Sequence, residues 1–222
     1  FPNGNTVSTF PAAFNVQVNS SAAVPTGAYR IIVTGTNTNN KVHKTSVSYL
    51  VGKNFVTVVT NKPSLQFKVD GNNYNSFAFF NWDVGAEHTL SAVTPQVIGS
   101  TRYLFQSWSD GGDTSHQINV SSTVSNYIVN YKTQYKLISQ VTPSGIPVTV
   151  IGGNQFFDSA STVSFSVTPL SLVYNGMNYY FQRWNGTGNG SYSGTNPSPT
   201  ITSMNNVVVE AAVYDTIPPI GI

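Results

Sequence analysis

His43, His88 and His116 stand among many serine and threonine hydroxyls and eight side-chain carboxylates. These are the residue types of a nucleophilic triad, in which a hydroxyl attacks, a histidine takes its proton and a carboxylate orients the ring. A triad also needs a sharply turned nucleophile and an oxyanion hole. No Gly-x-Ser-x-Gly surrounds any serine here, and with hydroxyls this abundant the three types co-occur without a site. Glycoside hydrolysis would need two carboxylates flanking a cleft. Asp110 and Asp113 are the closest pair, but Ser109-Asp110-Gly111-Gly112-Asp113 has the composition of a turn, which accounts for both. A calcium ion would use such carboxylates with backbone carbonyls, yet the corresponding stretch later in the chain, Asn185-Gly186-Thr187-Gly188, carries no charge. There is no cysteine, so disulfides, thiolate metal sites and cysteine nucleophiles are excluded together. The chain reads as non-enzymatic, with no cofactor and no metal.

Two further features carry chemistry of a different kind. Asn19, Asn119, Asn185 and Asn189 each begin an Asn-x-Ser/Thr sequon without proline at the middle position. In an exported chain a glycan is expected on at least one, foremost Asn185 or Asn189, which fall in a predicted Gly-rich loop. Glu210 is the one acid within the apolar run VVVEAAVY. An outward-facing strand residue is the expectation; a buried glutamate activating a Lys–Asn isopeptide crosslink is the alternative.

The elements that position these residues must be built with little charge. Apolar residues make up 40% and aromatics 13%, enough to fill a core, but Asp, Glu, Lys and Arg only 8%, against about 25% in an ordinary soluble domain. Solvated faces made of neutral hydroxyls and amides repel one another weakly and favour association. With so few carboxylates to neutralise, acid removes little, and an acidic habitat is expected. The net charge of +2 comes from scattered Lys and Arg with no basic stripe, which argues against nucleic acid. No apolar run approaches the roughly 20 residues that span a bilayer.

Short alternating apolar runs, punctuated by Gly, Pro, Asn and Asp about every 8 to 12 residues, recur throughout, and no helical period is sustained. This predicts an all-β chain of tandem β-sandwich modules. Strands are expected at 14–18, 28–34, 45–51, 55–60, 65–69, 89–93, 103–108, 118–120, 127–131, 135–141, 148–151, 163–168, 179–184, 200–202 and 207–214. An internal repeat organises them. Thr94-Pro95 followed by Tyr103, Phe105, Gln106 and Trp108 recurs as Thr168-Pro169 followed by Tyr179, Phe181, Gln182 and Trp184. In each copy Tyr-x-Phe-x-x-Trp puts Tyr and Phe on one strand face and Trp on the other, unless a bulge shifts the register. The six aromatics Tyr103, Phe105, Trp108, Tyr179, Phe181 and Trp184 are read as structural core, each Trp ending its strand beneath a Gly-rich loop. A sugar-stacking platform of Trp108 or Trp184 with Tyr192 is the functional alternative. The boundaries are 53–132 for the first module, 133–215 for the second and 216–222 for a tail.

Residues 1–52 differ. Their pattern gives three strands, with a turn at Pro25, Thr26 and Gly27 and a hairpin loop at 37–40. Three strands do not close an Ig-like sandwich of about seven. The segment reads as a partial Ig-like domain whose apolar face, formed by Phe14, Val16, Tyr29, Ile31, Val33, Val47 and Tyr49, is left to be covered, with Val7 and Phe10 as interface residues on the N-terminal stretch that could cover it.

The run VPTGAYRIIVTGT followed by KVHKTSVSYLV resembles the ending of Ig-like domains in archaeal surface proteins. YLFQSWSDGG with YIVNYKTQYKL, then YYFQRWNGTGNGSYSG with VVVEAAVY, is similar to the tandem β-repeats of proteins exported by thermoacidophiles, whose closing strand runs into a linker, here Lys132, Thr133, Gln134 and Tyr135. The resemblance implies an extracellular, cell-surface protein, and the archaeal thread filament, whose subunits join head to tail by donor-strand complementation, is the most concrete comparison. Its implied partners are other copies of itself, with surface glycans as adhesive targets. The donor would be residues 1–14 or the tail 216–222, the latter less suited because Pro218 and Pro219 remove consecutive N–H donors. The alternative is a carbohydrate-binding or targeting appendage of a larger secreted hydrolase or S-layer-associated protein.

Overall fold

The computed structural model describes residues 24, 25 and 27–219 of the chain. The expected strand at 14–18, the interface residues Val7, Phe10, Phe14 and Val16, the sequon at Asn19 and the donor stretch 1–14 lie outside the described residues. Within them the chain is all-β, with no helix.

The first elements are β1 (Gly27–Thr36) and β2 (Val42–Val51), an antiparallel hairpin. Its turn forms as the asparagine-rich loop predicts: Asn37 Oδ1 accepts the N–H groups of Asn39 and Lys41, and Asn40 takes a left-handed φ of 56°. The register sets Tyr29 opposite Tyr49 and Ile31 opposite Val47, so these four share one face with Val33.

The first module contains β3 (Lys53–Thr60), β4 (Gln66–Val69), β5 (Asn72–Asn75), β6 (Phe77–Asp83), β7 (Glu87–Ala92), β8 (Gln96–Ile98), β9 (Thr101–Trp108), β10 (Ser115–Asn119) and the start of β11 (Asn126–Thr142). The four-stranded sheet β10-β7-β4-β5 packs against β6, β3, β11 and β9. Between the layers lie Val58, Phe67, Leu90, Trp108, Val129 and Tyr131, all buried. The second module continues with β12 (Thr149–Ile151), β13 (Gln155–Asp158), β14 (Val163–Ser164), β15 (Ser166–Thr168), β16 (Ser171–Tyr174), β17 (Met177–Thr187), β18 (Thr200–Ile201) and β19 (Val208–Asp215). Leu137, Val163, Phe165, Phe181, Trp184 and Val208 fill a second core between β11, β17 and β19 and the short pairs β12–β15 and β14–β18.

Strands β5, β6, β8, β13 and β16 fall outside the expected set. All five border tight turns with left-handed φ at Gly71, Ser76, Gly99, Asn154 and Asn175, and four of them, β5, β8, β13 and β16, are too short or too polar to show an alternating apolar pattern. The stretch 132–135, expected as a linker, is instead the middle of β11. This 17-residue strand closes the first module and opens the second. Its first half pairs parallel with β3 and antiparallel with β9; its second half pairs antiparallel with β13 and parallel with β19. Closing and opening strands thus run parallel to one another in both modules.

The doubled aromatic motif shows why a bulge matters. Ser107 lies opposite Asn130 and Phe105 opposite Tyr131, leaving Gln106 as an extra residue; Arg183 lies opposite Val213 and Phe181 opposite Tyr214, leaving Gln182 extra. Each bulge turns the strand by one residue, so Trp108 and Trp184 point into the core instead of away from it.

Candidate functional site

Two places concentrate unusual features: the joint between the modules, with its counterpart on the first module, and the buried carboxyl of Glu210.

At the joint, β9 of the first module reaches across to the second. The Lys136 N–H donates to the Ser100 carbonyl at 3.0 Å, and Arg102 Nε donates to Gln134 Oε1 at 2.7 Å. Gln134 Nε2 donates in turn to Asp158 Oδ1 at 2.6 Å, and Lys132 Nζ lies 3.0 Å from the other oxygen of that carboxylate. The Gln134 amide first, then Lys132, hold the Asp158 carboxyl below its ordinary value. The Arg102 guanidinium sits 4.5 Å over the Phe156 ring. The neighbouring module therefore covers the surface made by Lys136 and Phe156.

The same surface exists on the first module. Lys53 lies opposite Asp83 on β3 and β6 as Gln134 lies opposite Asp158 on β11 and β13; two residues on, Phe55 opposite Asn81 corresponds to Lys136 opposite Phe156. Here the surface is open. Phe55, Phe77 and Phe79 are 55%, 58% and 60% exposed. Their rings form a contiguous group, with centroids 6.3 Å apart for Phe55 and Phe79 and 5.5 Å for Phe77 and Phe79. Strand β6 ends its sheet, carries no proline, and has no charge before Asp83. Edges are ordinarily blunted by such residues. The hairpin adds a second apolar surface, with Tyr29 and Val47 exposed on its shared face.

The core aromatics lie where the fold needs them. Trp108 and Trp184 are buried, Tyr103, Phe105 and Tyr179 pack partly buried against the cores, and Phe181 is buried against Trp184. A sugar cannot stack on a ring with no open face, so the platform of Trp108 or Trp184 with Tyr192 is not formed. The strand ends at Trp108 in the first copy but runs on to Thr187 in the second. Asn185 is consequently an exposed strand residue opposite Ala211 and not a loop residue, its Oδ1 accepting from Arg183 Nε. Asn189 is exposed in the loop that follows, between left-handed Gly188 and Gly190, and Asn119 is exposed at the end of β10.

The histidines serve turns and packing. His88 stacks on Trp82 with ring centroids 4.0 Å apart, and its Nδ1 is 2.7 Å from Asp70. Burial alone would raise the Asp70 carboxyl, but the Thr89 N–H and His88 outweigh it and hold it below its ordinary value. His116 spends Nε2 on Asp110 at 3.0 Å and Nδ1 on the Asp113 carbonyl at 2.9 Å, with its ring edge on Trp108. Asp110 also accepts the Gly112 N–H, the turn role expected of it. His43 lies on β2 opposite Gly35. Among the described residues no hydroxyl hydrogen-bonds a histidine ring, and no three metal-binding side chains cluster.

Glu210 corrects the expectation made of it. On β19 the side chains of Val208, Glu210, Ala212 and Tyr214 alternate inward, and Glu210 is 0% exposed. Both faces of VVVEAAVY are apolar enough to be buried, so alternation alone could not say which one carries the acid. One oxygen accepts the Tyr192 N–H at 2.7 Å. Among the described residues no lysine bonds to it, as an isopeptide would require. Burial pushes the carboxyl up to about 6, against the smaller lowering by the Tyr192 hydrogen bond.

Comparison with protein-family models, with curated proteins and with solved structures finds no match to this chain.

Proposed function

We propose that the chain is a structural subunit of an extracellular archaeal filament or surface array, assembled head to tail with other copies of itself by β-strand pairing. The observation that carries the proposal is the open aromatic surface of Phe55, Phe77 and Phe79 on the first module, where the pair Phe55 and Asn81 stands free while the corresponding pair Lys136 and Phe156 on the second has Arg102 of the neighbouring module over it. Burying three phenyl rings that are more than half exposed favours association by about 1 kcal/mol or more per ring. An edge strand without proline, and without charge before Asp83, adds backbone hydrogen bonds. A contact between unlike surfaces does not close on itself and propagates as a fibre.

Four other features support the reading. Strand β11 passes unbroken from one core to the next, so tension along the chain is borne in the direction of a strand held by ladders on both sides. The β1–β2 hairpin leaves Tyr29 and Val47 exposed on one face, and two strands alone are marginal in water. The low charge removes a barrier to association, and the resemblance of the repeats to those of exported archaeal proteins supports a surface setting. We assign glycosylation at Asn119, Asn185 or Asn189 and an adhesive role toward surface glycans to the same extracellular setting.

Sedimentation velocity over a hundredfold range of concentration tests the proposal. The chain should form concentration-dependent polymers, and the triple substitution F55S/F77S/F79S should abolish them while leaving the strand signature of the circular dichroism spectrum intact. A parent chain that stays monomeric throughout, or polymers indifferent to the substitution, would count against it.

A further inference from the structure

We propose that Glu210 and the 186–194 loop form a proton-controlled latch: with the carboxyl protonated the loop is closed over Trp184, and ionisation of the carboxyl releases it.

The loop closes by few interactions: the Gly186 N–H donates to Ser193 Oγ at 3.0 Å, and the rest are a bridge at its far end and one bond to Glu210 at its centre. Trp184 N–H donates to the Gly194 carbonyl at 2.8 Å and Gly194 N–H returns to the Trp184 carbonyl at 3.3 Å, a single bridge at the loop's far end. In the middle, the Tyr192 N–H donates to Glu210 Oε1. Close approach is enforced: a Cβ on Gly186 would run into the Tyr192 carbonyl, and one on Gly194 into the Tyr192 ring. Glu210 lies between Val208 and Ala212 along β19, with Gly186 opposite on β17 and Ser139 opposite on β11. Its second oxygen has no hydrogen-bond partner among the described residues, and neither has Trp184 Nε1.

A protonated carboxyl suits this setting, because a neutral group with one accepted hydrogen bond costs far less to bury than an anion with an unsatisfied oxygen. Among the described residues no basic group forms an ion pair with Glu210. Of the elements packed around it, the loop contributes only the Tyr192 phenol as a titratable group, whose oxygen accepts the Asn196 N–H. On β17, Arg183 is exposed and bonded to Asn185; on β11, Lys136 lies over the Phe156 ring; on β19, Asp215 is exposed and accepts the Thr216 N–H. The anion can gain water only if the loop lifts, and lifting also frees the backbone of Trp184 at the outer edge of β17. A carboxyl held at about 6 in the closed state and near 4.5 when released gives a ratio of about 30-fold in closure between acid and neutral pH.

Amide hydrogen exchange by NMR, corrected for intrinsic rates, reads the latch directly. Protection of the Tyr192 and Gly194 amides should fall about 30-fold between pH 4 and pH 8, most of the fall lying between 4.5 and 6, while amides of the first core change little. In E210Q the protection should be independent of pH. Should E210Q fail to fold, carbon-detected titration of the Glu210 carboxyl in the parent chain decides. An ordinary glutamate value there, or Tyr192 protection that stays constant across the range, overturns the proposal.

Discussion

Tyr131 and Tyr214 occupy corresponding places at the ends of the two closing strands, yet removing their hydroxyls should cost different amounts. Tyr131 is buried, and its hydroxyl both donates to the Gln66 carbonyl at 2.7 Å and accepts the Val93 N–H at 3.1 Å. In Y131F the Gln66 carbonyl keeps a second donor, Gln96 Nε2 at 3.1 Å, but the Val93 N–H loses the hydroxyl that satisfied it. A buried unsatisfied donor costs about 1–3 kcal/mol, and the lost bond to Gln66 adds a fraction more, so about 2 kcal/mol is expected. Tyr214 only donates, to the Pro169 carbonyl at 2.6 Å. Y214F removes that one bond, and a carbonyl tolerates loss better than an N–H, so about 1 kcal/mol is expected. Burial pushes both phenols up to about 12, so neither effect should vary with pH below 9. Urea unfolding followed by tryptophan fluorescence measures the two differences, which correspond to shifts of a few degrees in melting temperature. If Y214F costs as much as Y131F or more, the assignment of two partners to Tyr131 and one to Tyr214 is wrong.

Further outcomes follow from the same geometry. G186A should destabilise the second module by about 1–3 kcal/mol, because its Cβ meets backbone; G35A, with nothing near its Cβ, should be neutral within about 0.5 kcal/mol, both read by urea unfolding. Stability should peak in mild acid. Glu210, raised to about 6, contributes stability that is fully present below the unfolded value near 4.5 and lost as pH rises through 6, a loss of about 2 kcal/mol. Asp158, held low, contributes stability present above its unfolded value and lost as pH falls further. Unfolding midpoints from pH 2 to 9 should therefore show a maximum, with E210Q flattening the upper limb and D158N the lower. Intact mass of native material should exceed the 23.9 kDa of the bare chain, with Asn189 occupied ahead of Asn185, whose amide oxygen is held by Arg183.

Most of the all-β architecture was legible because strands facing a core on one side alternate apolar and polar residues, and the doubled Tyr-x-Phe-x-x-Trp marks where the two cores lie. Four things escaped for physical reasons. Strands such as β5, with the sequence NNYN, are held by turn geometry and pairing and carry no apolar pattern. The bulges at Gln106 and Gln182 decide which way the tryptophans face, and a one-residue shift leaves no mark in composition. Glu210 sits in a run apolar on both faces, so its burial depends on which face of β19 meets the core. The open phenylalanine surface escaped because FAFFNWD, apolar at every position from Phe77 to Phe80, shows no alternation that marks a one-sided strand; the exposure of Phe77 and Phe79 shows that one face of β6 is free.

Electron microscopy of the chain at high concentration tests the central claim most directly. Head-to-tail strand pairing predicts unbranched filaments of uniform width whose axial repeat equals one copy, and their loss in F55S/F77S/F79S. Dispersed single particles at every concentration, or closed rings and symmetric dimers in place of filaments, would contradict it.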